Sequence, residues 1–191
     1  MNFIKRLIKI LFYLSIFVIA LNYAPNIDYP SFSIDSGKLG KLKLLNQNNK
    51  VIGKNDIMGH PSIISFGFTN CPDACPITLS KIYINTKDKN FEKVKIYFVT
   101  LDPQRDTPDI LKNYLGNFDE KIIGLTGSEE NIRYLADALN VKYVKRKINS
   151  KNYTIDHTLT VFLMDKNFNK IGEIYYKDSK DTITKKLKLL L

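Results

Sequence analysis

Tryptophan is absent from this chain and cysteine nearly so: 191 residues carry two cysteines, Cys71 and Cys75. Two thiols cannot staple a scaffold, so the fold must stand on an apolar core. A hydrophobic content of 44% against 25% charged residues supplies one. Histidine is as scarce, with His60 and His157 the only two. Arginine is confined to Arg6, Arg105, Arg133 and Arg146, although 29 basic residues oppose 19 acidic ones and the net charge is +10. Nucleic-acid sites lean on arginine for bidentate contacts and stacking. Here the basic excess is lysine, scattered with no sustained block, so nucleic acid is not an expected partner. The charge reads as solubility, or as attraction to an anionic membrane surface. Internal repeats are also lacking.

What is present begins with "MNFIKRLIKILFYLSIFVIALNYAP". Lys5, Arg6 and Lys9 precede an apolar run from Ile10 to Leu21, broken only by Ser15. Signal cleavage needs small residues just before the cut. Asn22 and Tyr23 are not small, and Pro25 follows Ala24, so residues 1–24 read as an uncleaved signal-anchor, a transmembrane helix. A span needs about 20 residues, which Phe3 to Ala24 provides if the lysine stems snorkel. The positive-inside rule places the N-terminus in the cytoplasm and the rest outside. No Arg-rich, Ser-rich presequence precedes the run. The reading is therefore a bacterial inner membrane, single-pass, with the globular domain on the periplasmic side, in preference to a mitochondrial one. Residues 25–40, "PNIDYPSFSIDSGKLG", are rich in turn formers and read as a linker. Residues 41–191 form the folded domain.

Within that domain "KLKLLN" and "KVIG" predict a short β-hairpin, and "PSIISFGF" a buried strand. A helix follows from Ala74, then a second buried strand, "VKIYFVTLD". Thr107 and Pro108 are N-cap and first-turn residues of a helix with Leu111, Tyr114, Leu115 and Phe118 on one face. "IIGLTG" is a strand, and Ser128 opens a helix carrying Ile132, Leu135, Ala136 and Leu139. "LTVFLMD" and "KIGEIYY" close as a hairpin, and a last helix from Ser179 aligns Ile183, Leu187 and Leu190. This order predicts an α/β fold: a central mixed sheet flanked by helices, with an N-terminal β-hairpin. A buried strand running into Cys-x-x-x-Cys and a helix is the thioredoxin-like arrangement.

That arrangement puts "GFTNCPDACP" at a helix N-terminus, where the macrodipole and free N–H groups favour thiolate. Thiolate is both nucleophile and metal ligand. Residues four apart in a first helical turn lie about 6 Å apart along the axis. That spacing permits a disulfide and equally permits two sulfurs on one ion. Redox thioredoxins use Cys-x-x-Cys with a proline facing the pair. Pro108 is the last proline here, so "YTIDHT" stands where that proline would be. The topology brings His157 from this loop to the two cysteines. His60, in the turn "MGHP", reads as a surface residue. Two thiolates and an imidazole suit Cu(I) or Zn(II), and three ligands without a fourth fit trigonal Cu(I). Met1, Met58 and Met164 form no methionine-rich motif.

The elements "FGFTNCPDACP" (66–76), "DPQRDTP" (102–108), "GLTGS" (124–128) and "DHT" (156–158), in this order and spacing behind an N-terminal anchor, resemble the Sco/SenC family. The resemblance runs from about Lys41 to the C-terminus. It implies a membrane-tethered, copper-binding, thioredoxin-like protein that helps assemble the copper centre of cytochrome c oxidase. It also implies that Cys71, Cys75 and His157 ligate one copper per chain, Cu(I) and in some states Cu(II), with Asp156 orienting the histidine. Residues 102–108 read as a strand-end loop and helix cap. The implied partner is the copper-bearing oxidase subunit or another copper chaperone. The role is a metallochaperone; the alternative is a thiol–disulfide oxidoreductase whose redox-active pair, Cys71 and Cys75, reduces target cysteines before copper insertion.

Overall fold

The computed structural model describes Arg6 and residues 40–118, 120–150 and 152–191. The anchor 1–24 and linker 25–40 read from the sequence lie outside the described residues, save Arg6 and Gly40. In chain order the elements are β1 (Leu44–Asn46), β2 (Val51–Ile52), α1 (Lys54–Ile57), β3 (Ser62–Gly67) and α2 (Ala74–Asn85). A short 3₁₀ turn (Lys89–Phe91) leads to β4 (Lys95–Thr100), α3 (Pro108–Leu115), β5 (Ile122–Gly127) and α4 (Glu129–Ala138). The chain closes with β6 (Tyr143–Lys147), β7 (Tyr153–His157), β8 (Val161–Met164), β9 (Lys170–Ile174), α5 (Lys180–Leu187) and a 3₁₀ turn (Lys188–Leu190).

Among the described residues, seven strands form one mixed sheet in the order β2-β1-β5-β4-β3-β8-β9. The centre is parallel, β3 to β4 and β4 to β5, and both flanks are antiparallel. Strands buried on both faces read as continuous apolar runs rather than alternating ones. β3 is buried at all six positions and β4 at five, which is why "SIISFG" and "IYFVT" lack alternation. Helices α3 and α4 pack against β5, while α2 and α5 pack together over β3 and β9. Their apolar stripes, Leu111 and Leu115, Ile132 and Leu135, Leu79 and Ile82, Ile183 and Leu187, are all buried, as their spacing predicts. The expected N-cap Thr107 forms, and the helix starts read at Ser128 and Ser179 are N-caps too: each accepts from the amide three residues on, in Ile110, Asn131 and Thr182.

β6 and β7 pair as a separate two-stranded sheet and have no counterpart in the sequence reading. His157 is the last residue of β7 and not a loop residue, in register with Tyr143. Only Cys75 lies within α2, so the expectation that both cysteines share a helical first turn is corrected. Cys71 sits in the turn between β3 and the helix. The order of the elements is that of the thioredoxin-like fold.

Candidate metal centre

β3 ends at Gly67, where a side chain would crowd Phe98 and Cys75. A Cβ on Gly67 would lie 2.7 Å from Phe98 Cε2 and 2.8 Å from Cys75 Sγ. The glycine lets the helix bring Cys75 hard against the strand end. Cys71 N–H then donates to the Phe68 carbonyl at 3.1 Å and turns the chain towards α2. The N-cap residue of α2, Asp73, makes no side-chain cap bond. Instead Cys75 N–H donates to Cys71 Sγ at 3.4 Å, so a sulfur takes part of the capping role. Pro76 has no N–H to leave unpaired in that first turn.

The loop holding Cys71 is fastened by Asp106, which is 1% exposed. Its carboxylate accepts from Thr69 N–H at 3.0 Å, from the Thr69 hydroxyl at 2.6 Å and from the Thr100 hydroxyl at 2.5 Å. A buried carboxylate persists only when hydrogen-bonded in this way.

His157 arrives from the hairpin. Its Nδ1 lies 2.8 Å from the Thr158 carbonyl, which can only accept, so Nδ1 carries the proton. Nε2 therefore presents its lone pair, 3.6 Å from Cys75 Sγ. The edge-on ring of Phe68, 6.1 Å between centroids, walls the imidazole. Histidine ligands usually have their second nitrogen fixed by such an acceptor. Asp156 does not do this. It is exposed and pairs with Arg146 at 2.9 Å, so the expectation that Asp156 orients His157 is corrected in favour of the Thr158 carbonyl. His60 stands apart from this cluster, partly exposed, and its Nε2 donates to the Asp56 carbonyl at 3.1 Å.

The two thiols are free and unlike one another. The hydrogen bond from the Cys75 thiol holds the half-buried Cys71 far below the ordinary thiol range, to about 4, against the opposing effect of burial. The same hydrogen bond and then burial push Cys75 upward, so without metal it stays a thiol. One thiolate is thus ready, and a second proton has to leave before both sulfurs can ligate.

Among the described residues Cys71, Cys75 and His157 form a group whose three donor atoms lie within 4.8 Å of one another. Two donors sharing an ion with bonds near 2.3 Å can be at most about 4.6 Å apart. The 3.6 Å pair already satisfies this; a trigonal site with such bonds sets its donors about 4.0 Å apart, so the widest pair has to close by at most about 0.8 Å. Two sulfurs and one imidazole suit a soft, low-coordinate ion, Cu(I) above all.

Four polar residues around this site were not singled out from sequence: Asp102, Arg105, Asp106 and Tyr153. "DPQRDTP" does supply the cap at Thr107, but its acids and arginine also face inward. Asp102 is wholly buried, ion-paired with Arg105, and accepts from the Tyr153 hydroxyl at 2.7 Å. Burial and that hydrogen bond push the Tyr153 phenol up to about 12, so it remains a donor at physiological pH. The available signal was two acids and an arginine within five residues at the end of a buried strand.

A thioredoxin-like sheet with a Cys-x-x-x-Cys turn and a facing histidine defines a class of thiol and metal proteins. Residues 35–191 match the SCO1/SenC family, and the chain belongs to it. It is 40% identical over 142 residues to the SCO2-like protein RP587 of Rickettsia prowazekii (strain Madrid E), covering 71% of this chain and 68% of that protein. Among solved structures it resembles Bradyrhizobium japonicum ScoI with copper bound, at 34% identity and a TM-score of 0.72, covering 78% of this chain and 97% of that one. It also resembles yeast Sco1 with copper bound, at 28% identity and a TM-score of 0.71, covering 78% of this chain and 84% of that one.

Proposed function

We propose that this chain is a membrane-tethered copper metallochaperone. It holds one copper through Cys71 Sγ, Cys75 Sγ and His157 Nε2, and passes it to the copper-bearing subunit of cytochrome c oxidase or to another copper chaperone. The carrying observation is the three-donor cluster, whose geometry and softness suit Cu(I), in a family with copper-bound members. The asymmetric thiols support delivery. Cys71 is a ready thiolate that captures the ion, and loss of the Cys75 proton completes the site. A partner offering its own thiolates reverses these steps.

The same asymmetry supports a second reading, thiol–disulfide exchange. The Cys71 thiolate attacks a target disulfide and releases one target thiolate. Cys75, once deprotonated, attacks the mixed disulfide, releases the second target thiolate and leaves Cys71–Cys75 oxidised. The target gains the two electrons that this pair loses. The two readings separate at His157. Anaerobic Cu(I) titration is expected to give one tightly held copper per chain, weakened in His157→Ala, with disulfide exchange unchanged. Equal copper retention in His157→Ala would remove the histidine from the ligand set and leave the exchange reading in front.

A further inference from the structure

The hairpin that delivers His157 is hydrogen-bonded to itself and, among the described residues, has no ladder to the main sheet. Its docking must come from side chains. Tyr153, Ile155 and His157 alternate along β7 and so share one face. Ile155 on that face is buried, whereas Asp156 on the other is exposed. Tyr153 is gripped at three points. Its hydroxyl donates to Asp102 Oδ1 at 2.7 Å. Its carbonyl accepts from Arg105 Nη1 at 3.2 Å. Its ring lies under the Arg105 guanidinium, 3.8 Å from the centroid. Arg105 is itself oriented by an ion pair from its Nε to Asp102 Oδ2, and the Asp102 side chain is 0% exposed. Lys145 on β6 adds a longer contact to the same carboxylate, at 3.9 Å.

The gripping residues belong to the turn that also carries Asp106. Asp106 N–H donates to the Asp102 carbonyl at 2.8 Å, and its carboxylate fastens Thr69, two residues before Cys71. One five-residue turn, 102–106, therefore holds both halves of the site. Asp106 holds the thiol loop; Asp102 and Arg105 hold the histidine hairpin. We infer that this turn is the alignment device of the centre, and that Tyr153 is a positioning residue that sets where His157 Nε2 stands relative to Cys75 Sγ. The inference rests on the metallochaperone reading only for its consequence in copper affinity. The clamp itself is a property of the metal-free protein.

Two measurements on the detergent-solubilised full chain separate these levels. The variants are Tyr153→Phe, which keeps the ring and removes the donor, and Arg105→Lys, which keeps the charge and removes the fork; thermal melting checks that each is folded. In metal-free protein, hydrogen exchange of the β6–β7 ladder amides is expected to quicken in both variants while α2 stays protected. Unchanged exchange in both overturns the clamp, whatever copper does. In anaerobic Cu(I) competition, Tyr153→Phe is expected to weaken binding about tenfold, the lower end of the effect of residues that orient ligands. It should add less than about twofold in a His157→Ala background, because its effect passes through the imidazole. The imidazole scattering in copper X-ray absorption should fall in parallel. Equal weakening in both backgrounds overturns the positioning role. If His157→Ala alone changes nothing, the ligand assignment fails, and the exchange result decides the clamp alone.

Discussion

At the scale of single residues the centre depends on how one hydrogen bond divides two like thiols. Cys71 is held to about 4 chiefly by the hydrogen bond from Cys75, and Cys75 is pushed up by the same bond and by burial. A thiolate with a lowered pKa is fully formed above that value and lost only as pH falls through it. Cys71 alkylation by iodoacetamide should therefore be nearly flat from about pH 6 to about pH 8, where an ordinary thiol gains almost tenfold per unit. Cys75→Ala removes the donor, so the Cys71 thiol should return towards its ordinary range and the slope should reappear. A wild-type rate that climbs tenfold per unit across neutrality would show that the bond does not hold Cys71 down. Gly67 and Thr158 act at the same scale without being reactive: one clears space for Cys75 Sγ, and the carbonyl of the other fixes the imidazole tautomer.

Elements with a local rule were legible in the sequence. The buried runs gave β3 and β4, and Thr107, Ser128 and Ser179 marked helix starts by residue type alone. The pair Cys71 and Cys75 with His157 was readable because the βα turn and the later strand face each other in this topology. The β6–β7 hairpin was not readable. Four of the five β6 residues are exposed, and Val144 points outward at 61% exposure, so apolar and polar positions do not alternate. Its strands are held by side chains at a distance in sequence, Arg105 and Asp102, which no local pattern announces. Orienting Asp156 towards His157 failed for a related reason: neighbours along a strand point to opposite faces. The turn between β8 and β9 shows tertiary packing overriding propensity. Phe168 adopts a left-handed φ of 65° in a loop closed by Asp165, yet its side chain is 1% exposed. Strain there costs about 1 kcal/mol, whereas emptying a buried phenylalanine site costs about 3 kcal/mol. Burial wins, so both Phe168→Ala and Phe168→Gly should lower stability in denaturant unfolding. Glycine should be the milder by about 1 kcal/mol, since it alone escapes the strain. An alanine variant at least as stable as the glycine one would show that φ is not what opposes the packing.

For the whole molecule, the proposal that matters most is where the domain works, because the metallochaperone reading places it beside a membrane-bound copper acceptor. Lys5, Arg6 and Lys9 ahead of an apolar run, followed by Asn22, Tyr23 and Pro25 in place of a cleavage site, support a retained anchor with its N-terminus in the cytoplasm. A net charge of +10 carried mostly by lysine would favour an anionic leaflet nearby. Lipid anchoring through one apolar helix is effectively irreversible, unlike attraction through surface lysines, which salt releases. The two are therefore separable. In bacterial cells expressing the full chain, the protein should sediment with inner membranes and stay there after high-salt and carbonate washes. Mass spectrometry of the membrane-bound form should recover the N-terminal peptide. A membrane-impermeant maleimide should label Cys71 in intact spheroplasts, since this half-buried thiolate would face the periplasm. Release by salt would reduce the association to surface charge. A mature form beginning near Pro25 would turn the anchor into a cleaved signal, and failure to label until the spheroplasts are lysed would put the domain on the cytoplasmic side.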